Sequence, residues 1–154
     1  MRKDSLNITF NGNNYNGFDF ALLPLGAAQL CAAQQIEEAA DTARVAVMGS
    51  SLLYIEYQLA EEEAQAFKDA EFDGAVPVTV QAWVDANDVT PQEAAESMLA
   101  EAAAWKSAVC AIRAARLVGK QKALKAGSHD EAEAIADQAI AAINASVVGI
   151  GSAQ

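Results

Sequence analysis

Along residues 5 to 20, SLNITFNGNNYNGFDF, apolar Leu6, Ile8 and Phe10 alternate with polar Asn7 and Thr9. A period of two is the signature of a strand with one apolar and one polar face. The cluster NGNN then marks a turn ahead of Tyr15, Phe18 and Phe20, so the stretch predicts a short hairpin or a pair of extended segments. A lone hairpin is marginal in water and must either pack on helices or add to another sheet.

From Ala27 to Val47 the period becomes helical, with Leu30, Ala33, Ile36, Ala40, Ala43 and Val47 on one face and Gly49 as the stop. Ser50 and Ser51 offer a cap for a second helix running to about Phe72, with Leu52, Ile55, Leu59, Phe67 and Ala70 as its apolar stripe. Asp73-Gly74 breaks it, and a short helix or turn from Pro77 to Ala86 carries Trp83. The clearest start in the chain is VTPQEAAESML, residues 89 to 99. Thr90 is the cap, Pro91 takes the first helical position, where its missing N–H costs nothing, and Glu93 can return to the cap's N–H. This helix is the longest, reaching about Lys125 before Gly127. Met98, Ala102, Trp105, Val109 and Ile112 form a seam that drifts on to Leu117 and Leu124, with Trp105 as its expected core anchor. Ser128 with Glu131 opens a last helix whose Ile135, Ala139 and Ile143 point inward, and VVGIGSAQ follows as a Gly-broken tail, either an added strand or loose. The fold class is therefore mainly α: a helical bundle with one long helix in its C-terminal half and a short N-terminal β-hairpin or extended segment. The organisation expected is an extended segment over 1–22, a helical domain over 23–145 and a tail over 146–154.

Composition supports helices over a sheet sandwich. Hydrophobic residues make up 53% of the 154, yet aromatics are only 6% and much of the remainder is Ala, the best helix former and a small one. The net charge of −11 argues against nucleic-acid or anionic-membrane partners. No apolar run follows Arg2-Lys3, as a signal peptide would require, and none is long enough to span a bilayer. Cys31 and Cys110 fall within helical patterns and read as reduced, buried thiols, and the sequons at Asn7 and Asn144 read as accidental. Charge is unevenly shared: six of the ten cations lie in 106–125, which contains no acid, and the other four face all 21 acids. Arg113, Arg116 and Lys120 share one face of that helix. Two readings stand: cations that complement the helix C-terminus and neighbouring acidic helices, or a docking patch for an acidic protein.

Catalytic chemistry is sparse. A di-iron bundle needs two Glu-x-x-His motifs, and the single His129 follows a cap residue, where a solvated surface position is expected. Zinc sites fail on the same count, and no nucleophile elbow accompanies a Ser/His/Asp set. DAEFDGAVPVTV places Asp69, Glu71, Asp73 and Gly74 at calcium-loop positions, but Val80 stands where the bidentate Glu belongs. No catalytic, cofactor or metal residue is assigned, and the chain reads as a non-enzyme.

Glu56 to Leu124 does carry a recognisable order of residues: Glu56-Tyr57 with Ala60, Phe67, Gly74-Ala75-Val76-Pro77, Trp83, Thr90 with Ala94-Ala95, Ala102 to Trp105, and Ile112-Arg113-Ala114-Ala115-Arg116-Leu117. In that order and spacing the segment resembles short proteins encoded beside tail-fibre genes in phages and prophages of Pseudomonas-like bacteria. Val89 departs from the pattern, which has an aromatic there, and the hairpin and first helix lie outside it. The resemblance implies a tail or tail-fibre accessory protein, binding as a structural adaptor or assembly chaperone. It would work in the host cytoplasm during assembly or in the virion tail. The partner would be a tail or tail-fibre protein, with self-association a further option. A host-directed inhibitor with an acidic face and a small-ligand or calcium-binding bundle are the alternatives. The candidate contact residues are Ile8, Phe10, Tyr15 and Phe18 of the hairpin together with Arg113, Arg116 and Lys120. The hairpin residues could equally fold back to cover the chain's own helices.

Overall fold

The computed structural model describes residues 1–48 and 51–150; Gly49 and Ser50, read above as a stop and a cap, lie outside the described residues. Strand β1 (Leu6–Phe10) pairs antiparallel with β2 (Asn13–Phe18), and a 3-10 turn (Phe20–Leu22) leads into the helices. These are α1 (Leu25–Met48), α2 (Ser51–Asp69), α3 (Val78–Asn87), α4 (Pro91–Ala123) and α5 (His129–Ala145). The mainly helical class, the long helix and the hairpin all stand as the hydrophobic pattern predicts. Among the described residues no helix is long and apolar enough to cross a membrane.

Two compact units divide the chain. One comprises Met1–Ala46 with Ala108–Gln154, the other Val47–Ser107. In the first unit α1 buries Ala33, Ile36, Ala40 and Ala43, as its periodicity predicts, and Leu30 is half-buried; Val47, at the start of the second unit, is buried too. The C-terminal half of α4 departs from expectation. It buries Ala108, Ile112, Gly119 and Ala123, whereas Leu117 and Leu124 are exposed at 40% and 36%. The cause is helix spacing: a Cβ on Gly119 would stand 2.5 Å from the Ala139 Cβ and 3.4 Å from Ile36 Cδ1. Helices this close leave room only for small side chains around Gly119, so Leu117 and Leu124 stay outside, although Ile112 two turns earlier is fully buried. On α5, Ala132, Ala136, Ala139 and Ile143 are buried and Ile135 is half-buried.

The second unit centres on Ala64, Phe67, Val80, Ala94, Ala95 and Met98, with Trp83 packed against them. On α2 the inward face is Ala60, Ala64 and Phe67; Ile55 and Leu59, expected inward, are 61% and 50% exposed, Ala70 is exposed too, and the Leu52 side chain lies outside the described residues. Trp105 is half-buried, edge-on to Tyr57 with ring centroids 4.6 Å apart, and its Nε1–H is buried without an acceptor among the described residues. It flanks the core and does not anchor it, and Val109 on the same expected seam is 37% exposed.

Caps follow the sequence closely. Thr90 N–H and Oγ1 donate to Glu93 Oε2 at 2.9 and 2.7 Å, and Glu93 N–H returns to Thr90 Oγ1 at 3.2 Å. Those bonds hold the Glu93 carboxyl below its usual range, the Thr90 backbone bond first. Ser128 Oγ accepts from Glu131 N–H at 3.1 Å, while the Glu131 carboxylate accepts from Gly127 N–H one residue further out. Pro77, ahead of α3, has no side-chain cap to offer, so Glu63 of α2 accepts from Thr79 N–H and Oγ1 at 2.9 and 2.7 Å.

Candidate docking surface

Hairpin geometry follows from its turn. Asn11 (φ 50°) and Gly12 (φ 78°) both take the left-handed region, as a two-residue type I′ loop demands. The turn is thus Asn11-Gly12 alone, and Asn13 and Asn14 of the NGNN cluster belong to β2. The register pairs Phe10 with Asn13, Thr9 with Asn14, Ile8 with Tyr15 and Asn7 with Asn16, then slips by one so that Leu6 meets Phe18. Gly17 (φ 72°) absorbs the slip, and its N–H donates to Asn7 Oδ1 at 3.0 Å.

One face of this ribbon covers the chain's own first unit. Leu6 and Ile8 are 6% and 5% exposed, and Phe10 lies over Gly26, where a Cβ would come within 2.4 Å of the ring. Ile8 and Phe10, candidate partner contacts in the sequence, therefore face inward. Tyr15 is half-buried, and Phe18, edge-on to it with centroids 5.5 Å apart, is 39% exposed. The base is fastened to the same unit. Gln35 accepts from Arg2 N–H at 2.6 Å and donates to Arg2 O at 3.0 Å, Arg2 pairs with Glu38, Lys3 with Glu133, and the terminal amine with Asp137.

The opposite face is wholly polar: Asn7, Thr9, Asn14 and Asn16 are exposed, and Thr9 Oγ1 donates to Asn14 Oδ1 at 2.7 Å. A two-residue loop makes Phe10–Asn13 and Ile8–Tyr15 the pairs that exchange both bonds, so Asn7 and Thr9 aim their N–H and C=O away along one edge, and Asn14 and Asn16 along the other. Among the described residues no backbone bond from another element meets either edge. Proteins usually guard such edges with Lys or Pro; residues 5 to 18 contain no charge and no proline. Ile8, Phe10, Tyr15 and Phe18 are the hairpin contacts expected from the sequence; the Asn/Thr rows, the polar half of the same alternation, are not among them.

The basic segment is divided in use. Arg116 Nη1 lies 3.0 Å from both carboxylate oxygens of Glu37 on α1, and Lys120 Nζ is 2.7 Å from one of them. The Lys120 and Arg116 hydrogen bonds hold the Glu37 carboxyl below its usual range. Two of the three candidate cations on this face thus neutralise a neighbouring helix. Arg113, Lys122 and Lys125 are exposed and, among the described residues, form no ion pair. Lys106 pairs with Glu61.

Elsewhere the chemistry is spent on structure. His129 Nε2 stands 2.8 Å from Leu23 O, and the half-buried ring lies edge-on to Phe20; it packs over the 3-10 turn, not in solvent as expected. Cys31 is buried, and burial pushes its thiol up, whereas Cys110 is exposed, contrary to the paired expectation. The calcium-like run folds as a helix end: Phe72 N–H reaches Phe67 O, and Asp73 accepts from Gly74 N–H. Among the described residues no three His, Cys, Asp or Glu side chains converge on a metal position. No family model, curated protein or solved structure matches the chain.

Proposed function

We propose that this chain is an accessory protein of a bacteriophage tail or tail fibre, acting without catalysis as a structural adaptor or assembly chaperone, and that it grips its partner by adding the hairpin edge to a partner strand. The phage setting rests on the residue order from Glu56 to Leu124. The mode of binding rests on one observation: an uncharged two-stranded ribbon, fixed on one face, with both edges free of backbone partners among the described residues. Main-chain hydrogen bonds along an open edge supply affinity in such pairing, and side chains alternating along the strand supply selectivity. The Asn/Thr rows suit a partner strand that offers polar side chains.

The test uses proline where it spares the hairpin's own ladder. Asn14→Pro removes an outward N–H from the β2 edge and Thr9→Pro one from the β1 edge, positions where proline is tolerated in sheets. Co-purification with the tail and fibre proteins of the encoding phage should fall at least tenfold for one of the two variants, with unchanged helical circular dichroism. Undiminished binding by the double variant would overturn the edge-pairing mode. Probing purified virions for the chain separates adaptor from chaperone. Association with a host protein and with no tail or fibre protein would replace the phage-assembly reading with a host-directed one.

A further inference from the structure

We infer that the chain associates with itself head to tail, the exposed face of α2 in one copy docking on the exposed face of α4's C-terminal half in the next. The inference is independent of the hairpin. On α4, Leu117 and Val118 are 40% and 54% exposed, beside exposed Ala114 and Leu124. This apolar run is bordered by Arg113, Lys122 and Lys125, all exposed and without ion pairs among the described residues. On α2, Ile55 and Leu59 are 61% and 50% exposed and share a helical face with Glu62 and Ala66, bordered by Glu56. Both runs span roughly 15 Å of helix.

The two faces match in chemistry and oppose in charge. Large aliphatics are left in water on both helices, Ile55 and Leu59 one turn apart on α2 and Leu117 beside Val118 on α4, and such exposed ridges can interlock with the grooves of a partner helix. The cationic border selects an acidic partner, and a copy of this chain offers an acidic, apolar helix face of the right length. Two α4 faces meeting symmetrically would oppose Arg113, Lys122 and Lys125 to their own copies, which like-charge repulsion disfavours. A contact between unlike faces repeats, so mass climbs with concentration unless the assembly closes into a ring.

Sedimentation velocity on the full chain tests this with two variants that keep charge and helix propensity, Leu117→Gln/Val118→Gln and Ile55→Gln/Leu59→Gln. The wild type should grow in mass with concentration at low salt, and dissociate when added salt shortens the screening length to well below ~10 Å. Each variant alone should remain monomeric, and an equimolar mixture should form a 1:1 complex, because each retains the face the other lacks. A wild type monomeric at every concentration overturns the inference. So does an Ile55→Gln/Leu59→Gln variant that associates like the wild type, which would place α4 against α4, or association that survives in both variants.

Discussion

The hairpin and the basic half of α4 expose their surfaces in opposite ways. In the hairpin Leu6 and Ile8 turn inward and Phe10 lies over Gly26, and apart from the partly exposed Phe18 what remains outside is backbone and amide: open edges with Asn and Thr rows. In the C-terminal half of α4, Ala108, Gly119 and Ala123 turn inward beside Ile112, and much of what remains outside is aliphatic and cationic. The difference comes from what each backbone can bury. A strand pair presents one whole face to the unit beneath it, so its bulkiest residues go under. A helix pressed against Ala139 and Ile36 has room around position 119 only for Gly and Ala, so Leu117 and Leu124 stay outside, while Ile112 is buried where the seam is wider. The first surface is suited to pairing with a strand, the second to pairing with a helix.

The predictions press on that contrast. Truncating the hairpin's inward face should be the costliest change: Ile8→Ala should lower unfolding stability by about 2–5 kcal/mol, as for other buried aliphatics, in urea denaturation. A loss below about 0.5 kcal/mol would mean that the ribbon is not packed on the first unit. Next is the α4 seam, where Gly119→Leu must push the helix off Ala139 and Ile36; about 1–3 kcal/mol should be lost. An unchanged midpoint would deny the close approach. Smaller again is the Glu37 pairing with Arg116 and Lys120, which partial exposure and solvent screening limit to about 1 kcal/mol, measured as Glu37→Gln. Because the folded-state pKa of Glu37 is lowered, its contribution is present above the unfolded value of about 4.3 and is lost as pH falls through the folded value. Glu37→Gln should therefore narrow its gap to the wild type in acid; a gap independent of pH would mean that the charge contributes nothing. Least of all, Leu117→Gln and Val118→Gln should each change monomer stability by under about 0.5 kcal/mol. A large loss in the monomer would return these residues to the core.

Much of this was legible in the sequence, for local reasons. Thr90, Pro91 and Glu93 announce their helix because a capping box is closed by residues three apart, and Asn11-Gly12 announces its turn because few residues tolerate the left-handed region twice. The inward face of α1 was legible from period alone. The faces of α2 and of α4's second half were not, because ranking positions by size assumes that large residues go inward. Gly119, Ala64 and Ala123 are buried while Leu117 and Leu59 are exposed, and at Gly119 helix spacing, a tertiary quantity, decides it. His129 was misread for a similar reason: its acceptor, Leu23 O, is 106 positions away. At the candidate site the ribbon could be read from alternation, but which half of the alternation faces solvent depended on where α1 lies.

Amide hydrogen exchange, residue by residue, on the chain alone and with the purified phage tail and fibre proteins proposed as its partners, tests the central claim most directly. In the free chain the N–H groups of Asn7, Thr9, Asn14 and Asn16 should exchange fast and those of Ile8, Phe10, Asn13 and Tyr15 slowly. In the complex one outward row, either Asn7 and Thr9 or Asn14 and Asn16, should become protected while the other stays open. Protection that falls on α4 or α2 and leaves both hairpin rows exchanging as in the free chain would contradict the account.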